Sequence, residues 1–269
     1  MAEPSLKHKT TVSLFWSFID KFGQQVLNFV SMLVLMNIIA PEAYGLIGSL
    51  ALFTAFSTIL IDSGLGRVLI NRKDVSPADY NAVFFFNAGL SLMLYMILFF
   101  LSPLIGNLFN APAIVPVSRV LFLTLIFNAL GLIHQTILIK EANFKLLTKV
   151  NMLALLIADV VAIAMALTGF GVWALVAQLL LFAFARTVIL WVRSSWRPHH
   201  SFSMSNLKSF FGFSYKLLLS NLVSSTVNNI YPSLIATFYP MSQVAYFNQA
   251  KRYQEIPFLT LSNTFRSVA

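Results

Sequence analysis

Long apolar runs separated by short polar intervals set the pattern of this chain. Roughly 20 consecutive apolar residues cross the hydrocarbon core of a bilayer as a helix. Runs of that kind predict spans near 12–39, 44–66, 81–102, 118–139, 150–168, 171–192, 210–238 and 244–267. The interval Thr168-Gly169-Phe170-Gly171 fits only a tight helical hairpin. Ala40-Pro41-Glu42 is another tight turn, and Pro103, Pro112 and Pro116 are expected to mark a longer connection between the third and fourth spans. The fold class read from this pattern is all-α, a polytopic transmembrane helical bundle.

Polar positions inside the spans are also periodic. In the first span Ser17, Asp20, Lys21, Gln24, Asn28 and Ser31 fall on one helical face. Asn221, Ser224, Ser225 and Asn228 repeat the stripe in the seventh span. Sliding the chain by about 200 residues sets Gln24 on Ser224, Asn28 on Asn228 and Gly45 on Ala245, an internal repeat of the kind transporters use. The expected organisation is a six-helix lobe over 1–200 and the first two helices of a second six-helix lobe over 201–269. On that logic the second lobe is incomplete, and about 200 further residues would finish it.

Composition makes lipid the solvent. The chain is 58% hydrophobic and 10% charged, with a mean hydropathy of +0.79, whereas soluble domains sit near about 45–50% apolar and about 25% charged. The first apolar run is too long for a signal peptide and contains Asp20 and Lys21, so it reads as a retained span. There is no cysteine, which excludes disulfides, thiolate chemistry and cysteine metal sites.

A net charge of +9 would suggest nucleic acid in a soluble protein. Here the basic residues alternate between connections. Lys7 and Lys9, then Arg67, Arg72 and Lys73, then Lys140, Lys145 and Lys149, then Arg193, Arg197 and Lys208 fall on one set. The alternate connections near 40–43, 103–117, 169–171 and 239–243 hold no Lys or Arg. This positive-inside pattern predicts a multi-pass protein of the cytoplasmic membrane with a cytoplasmic N-terminus. Arg67, Arg72 and Lys73 then serve as a topology anchor, and nucleic acid is not a partner. The neighbouring Gly64-Leu65-Gly66 lacks the spacing and the Lys-Ser/Thr of a phosphate loop and reads as a helix end.

An ionisable side chain within the hydrocarbon costs roughly 2.5–3.5 kcal/mol on insertion scales, so it should face the bundle interior or water. Asp20, Lys21, Gln24, Asn28, Lys216, Asn221, Asn228, Lys251 and Arg252 are therefore the candidate cavity residues for substrate binding. Asp159 and Arg186 are candidates for a buried charge or a coupling site. Snorkelling to the interface competes with this reading for Asp20, Lys21, Lys216 and Arg186, and interhelical hydrogen bonding competes for the Ser, Asn and Gln stripe. Arg119 is expected at the interface and His134 is isolated in the fourth span. None of the 4 histidines has metal-ligand spacing, and no catalytic triad or paired carboxylates are seen, so neither a metal, a cofactor nor an enzymatic activity is expected.

Several stretches carry a family likeness. Pro41-Glu42-Ala43-Tyr44-Gly45-Leu46, Asp62-Ser63-Gly64-Leu65-Gly66, Leu69-Ile70-Asn71-Arg72-Lys73-Asp74, Leu104-Ile105-Gly106, Lys140-Glu141 with Phe144, and Tyr246-Phe247-Asn248-Gln249-Ala250 occur in that order. Together they resemble bacterial polysaccharide flippases, the Wzx-type and colanic- or teichuronic-acid exporter-like members of the multidrug/oligosaccharidyl-lipid/polysaccharide superfamily. The resemblance implies two six-helix lobes around a central, usually cationic cavity that moves an undecaprenyl-diphosphate-linked oligosaccharide to the outer leaflet. Its implied partners are that lipid-linked glycan, membrane lipids and polysaccharide polymerase or export machinery. Lys21, Lys251 and Arg252, with Lys216 and Arg186, would attract the diphosphate. A cation-coupled drug exporter of the same superfamily and, more remotely, a membrane glycan polymerase or ligase are the alternatives.

Overall fold

The computed structural model describes residues 6–199, 204–251 and 253–254. Its helices are α1 (Leu6–Met36), α2 (Pro41–Ser49), α3 (Ala51–Asp62), α4 (Leu65–Asn71), α5 (Pro77–Leu108), α6 (Ile114–Leu121), α7 (Leu123–Lys140), α8 (Phe144–Leu167), α9 (Val172–Arg193) and α10 (Met204–Phe238). Residues 241–251 are helical as well, and the described residues contain no strand. A helix satisfies its backbone groups internally, which is what hydrocarbon demands. Among the described residues, five stretches are long and apolar enough to cross a membrane: Pro41–Asp62, Pro77–Leu108, Ile114–Lys140, Phe144–Leu167 and Val172–Arg193. The protein is thus an all-α polytopic membrane bundle. The helices with the polar stripes, α1 and α10, are not among those five.

Local chemistry explains the boundaries. Ser76 and Asp79 form a capping box at the start of α5, with Pro77 in its first turn. The Asn143 side chain accepts from the Leu146 N–H and caps α8. Gly169 and Gly171 both take positive φ, which makes the tight α8–α9 turn that the sequence predicts.

The second crossing differs from its expected limits of 44–66. It starts at Pro41, breaks at Leu50 and ends at Asp62, where Ser63 and Gly64 both turn left-handed. Gly64 ends a helix as expected. Gly66 does not: it lies buried within α4.

The prolines also correct the sequence reading. Pro103 lies inside α5 and Pro116 inside α6, so only 109–113 connect them. A proline lacks the N–H that the carbonyl four residues earlier would receive. For Pro103 that carbonyl belongs to Phe99, and it accepts instead from Ser102 Oγ at 2.7 Å and Arg119 Nε at 3.4 Å. Arg119 also donates to Ser102 Oγ at 2.8 Å and lies 4.4 Å from the Phe99 ring centroid. Arg119 is therefore partly buried against α5.

The basic connections share one end of the bundle. Lys140 Nζ donates to the Leu69 and Arg72 carbonyls at 2.9 and 2.7 Å, holding the end of α4. Ser13 Oγ reaches the Ala142 carbonyl, and the His199 N–H reaches Asn81 Oδ1. At the other end α2 packs directly on the 241–251 helix. A Cβ on Gly45 would collide with the Met241 carbonyl, and one on Gly48 with the Asn248 amide. The buried core between these ends includes Leu50, Phe122, Leu125, Val176 and Val244. Outward-facing Phe100, Leu104, Leu167 and Val192 are exposed, as a lipid-covered surface requires.

Candidate functional site

A cavity of about 210 Å³ opens within the bundle between α1, α2, α8 and α9. Gln24, Asn28, Tyr44 and Gln178 supply its polar lining, against a wall of Leu, Met and Phe182 side chains. The spacing that put Gln24 and Asn28 on one face of α1 therefore does place them on one cavity. Tyr44 comes from the first turns of α2, just after Pro41 starts that helix.

Two carboxylates lie behind this lining. Asp20 accepts from Gln24 Nε2 at 2.8 Å and, through both oxygens, from Asn151 Nδ2 at 3.1 Å. Asn151 in turn accepts from Arg186 Nε at 2.9 Å. The charges of Asp20 and Arg186 are thereby joined across α1, α8 and α9 through a neutral amide. Asp159 is buried on α8 and accepts from Gln178 Nε2 at 2.7 Å. The same Gln178 amide donates to Ser31 Oγ at 3.0 Å. Asp159 thus has a hydrogen-bond partner on α9.

Other candidates lie elsewhere. Lys21 is exposed, one turn from Gln24 along α1. Lys251 Nζ donates to the Asn228 carbonyl at 2.5 Å, joining two candidates that the sequence did not pair. That carbonyl is four residues before Pro232, so Lys251 meets the acceptor that the proline leaves open, as Arg119 does at Pro103. Asn221 is half-buried on α10, and neither it nor Asn228 lines the cavity. Arg67, Arg72 and Lys73 are exposed around the α4–α5 connection. Arg252 and the Lys216 side chain lie outside the described residues.

Sequence reasoning missed Gln178, Asn151 and Tyr44. The first two are single carboxamides in apolar spans, and a lone amide there is itself a signal that a polar partner waits on a neighbouring helix. His134 was read as isolated, but it is packed in an aromatic box. Its ring lies 4.9 Å from Trp191 and 5.3 Å from Trp196, and Phe84 contacts both tryptophans. Both His134 nitrogens are buried without a hydrogen-bond partner. Among the described residues no group of histidines and carboxylates has the arrangement of a metal site.

Comparison with known proteins places this architecture. Residues 34–269 match the family model described as "Polysaccharide biosynthesis protein". The succinoglycan biosynthesis transport protein ExoT of Rhizobium meliloti (strain 1021) is 26% identical over 94% of this chain and 52% of its own length. The teichuronic acid biosynthesis protein TuaB of Bacillus subtilis (strain 168) is 25% identical over 99% of this chain and 56% of its own. For the lipopolysaccharide biosynthesis protein WzxC of Escherichia coli (strain K12) the values are 24%, 96% and 53%. The chain spans about half the length of these curated relatives. No solved structure matches it significantly. With most of its length on the family model, a multi-pass helical bundle and relatives concerned with three different bacterial polysaccharides, the chain belongs to the polysaccharide biosynthesis protein family.

Proposed function

We propose that this protein serves as a membrane transporter that flips an undecaprenyl-diphosphate-linked oligosaccharide across the bacterial cytoplasmic membrane. The observation that carries the reading is the carboxamide-lined cavity enclosed by α1, α2, α8 and α9 in an otherwise apolar bundle. Ligand sites of this kind combine apolar walls with a few convergent polar groups. Carboxamides hydrogen-bond sugar hydroxyls, and the match to a polysaccharide biosynthesis family supports a glycan as the cargo class. No bond is broken: binding energy shifts the balance between a state open to one side and a state open to the other. The protein is accordingly a transporter and not an enzyme.

In this reading the N-terminus and the basic connections are cytoplasmic, with Arg67, Arg72 and Lys73 as anchors. Residues 1–200 form one lobe and 201–269 open the second. Lys21, exposed beside the cavity-lining face of α1, meets the diphosphate. Lys216 and Arg252 remain candidates for the same contact on sequence grounds, while Lys251 and Arg186 have protein partners.

The test is reconstitution of the 269-residue chain in proteoliposomes with a fluorescent polyprenyl-diphosphate-linked oligosaccharide. The expected result is transfer between leaflets faster than in protein-free liposomes. Transfer no faster than in empty liposomes overturns the reading.

A further inference from the structure

The polar wall of the cavity is held from behind. Gln178 lines the cavity from α9 and is half-buried there. Its amide nitrogen donates to Asp159 Oδ1 at 2.7 Å and to Ser31 Oγ at 3.0 Å. Ser31 also hydrogen-bonds Asp159. The three side chains close a ring across α1, α8 and α9. Asp159 is 6% exposed and Ser31 3% exposed, and neither belongs to the lining. Both stand behind the residue that does.

An amide nitrogen carries two hydrogens. With one acceptor for each, the Gln178 carboxamide is fixed at two points, and rotation about its last torsion breaks both contacts. A carboxylate only accepts, so Asp159 also dictates that the nitrogen end of the amide faces it. An ionisable group within a span is costly and marks a functional position by default. Here the group it holds is a cavity residue. The α1 wall is built alike: Gln24 lines the cavity and donates to Asp20 at 2.8 Å, and Asp20 lies outside the lining. Asp20 also meets Asn151 of the Arg186 chain, so its removal disturbs more than Gln24.

Ordering a long side chain at the moment of binding weakens affinity, and a side chain already held in place escapes that loss. We propose that Asp159 is a positioning residue for the glycan: its hydrogen bond holds the Gln178 carboxamide in place on the cavity wall, so that a sugar group of the cargo binds without first having to order that side chain. The proposal rests on the transport reading above. Asp159 itself touches no part of the cargo and acts only through Gln178.

The test measures initial transfer rate against the density of the fluorescent polyprenyl-diphosphate-linked oligosaccharide, in proteoliposomes holding matched amounts of monodisperse full-length variant. Asp159→Ala should raise the half-saturating density about fivefold, the effect of one side chain left to be ordered, with little change in maximal rate. Asp159→Asn keeps an oxygen that accepts from Gln178 and should stay within about twofold of the unmodified chain. Gln178→Met should raise half-saturation at least as far as Asp159→Ala. The double variant Asp159→Ala/Gln178→Met should match Gln178→Met within about twofold, because nothing is left for Asp159 to hold. A merely structural role would act alike with or without Gln178. If Asp159→Ala is not recovered folded, the other three variants still decide, since the double variant strands neither polar group. Unchanged half-saturation in Asp159→Ala, a loss confined to maximal rate, Asp159→Asn as impaired as Asp159→Ala, or a further rise in the double variant over Gln178→Met overturns the proposal alone. An unmodified chain that moves no glycolipid overturns the transport reading, and the proposal falls with it.

Discussion

Lys251 donates its ammonium to the Asn228 carbonyl at 2.5 Å, the acceptor four residues before Pro232. The contact explains a charge within the bundle without calling on a ligand. A proline in a membrane helix is tolerated when a neighbouring group restores the lost hydrogen bond, and here the neighbour is a lysine from the 241–251 helix. Replacing Lys251 by Met should lower stability by about 1.5–2 kcal/mol, the low end for a hydrogen bond to a charged group because the site is partly exposed. Pro232→Ala returns an N–H to α10, so the double variant Pro232→Ala/Lys251→Met should recover most of that loss. Thermal melting in detergent reads both. If the double variant melts as low as Lys251→Met, the lysine is not compensating the proline.

The same logic applies at Pro103 with a smaller effect. Ser102 Oγ already serves the Phe99 carbonyl at 2.7 Å, and the Arg119 contact is longer. Arg119→Met should cost about 1 kcal/mol, and the loss in Ser102→Ala/Arg119→Met should depart from the sum of the single changes, because the two side chains contact each other and share an acceptor. Additive losses in melting temperature would contradict a shared acceptor.

Asp20 and Arg186 are bridged by Asn151, so removing one charge strands the other. Asp20→Asn or Arg186→Met alone should destabilise by about 2 kcal/mol. The pair Asp20→Asn/Arg186→Met should be less harmful than the two losses added. A double-mutant cycle measures the coupling, and a coupling energy near zero would mean that Asn151 satisfies each partner independently.

Glycine-to-alanine changes should rank by what the new methyl meets. At Gly45 it meets the rigid Met241 carbonyl, at Gly48 the end of the Asn248 side chain, and at Gly89 open space. Gly45→Ala should cost about 1–3 kcal/mol by overpacking and Gly48→Ala less, while Gly89→Ala should be neutral or stabilising by about 0.5–1 kcal/mol. Melting temperatures in any other order would mean that α2 and the 241–251 helix do not pack through Gly45.

Much of this architecture was legible in the chain. Apolar run length defines most helices, and the glycines of 169–171 define the α8–α9 turn. The three-to-four spacing on α1 located Gln24 and Asn28 on one cavity wall. What was not legible is pairing between distant helices. Nothing local to Pro103 or Pro232 says that a cation will replace the lost N–H, so Pro103 reads as a loop and the pairing of Lys251 with Asn228 cannot be seen in the sequence. Gln178 and Asn151 escaped notice because a single amide in an apolar span gains meaning only from the carboxylate it meets on another helix.

The division of residues 41–71 into α2, α3 and α4 has a mechanical consequence. A straight rod transmits any tilt at one end to the other. This segment is jointed twice, at Leu50 and at Ser63-Gly64, and its two end pieces are tied to different neighbours. Gly45 on α2 abuts Met241, Ser49 accepts from Ser233 of α10, and α4 is tethered by Lys140 of α7. The piece bound to α10 and the 241–251 helix can change its angle while the piece bound to the basic end keeps its place.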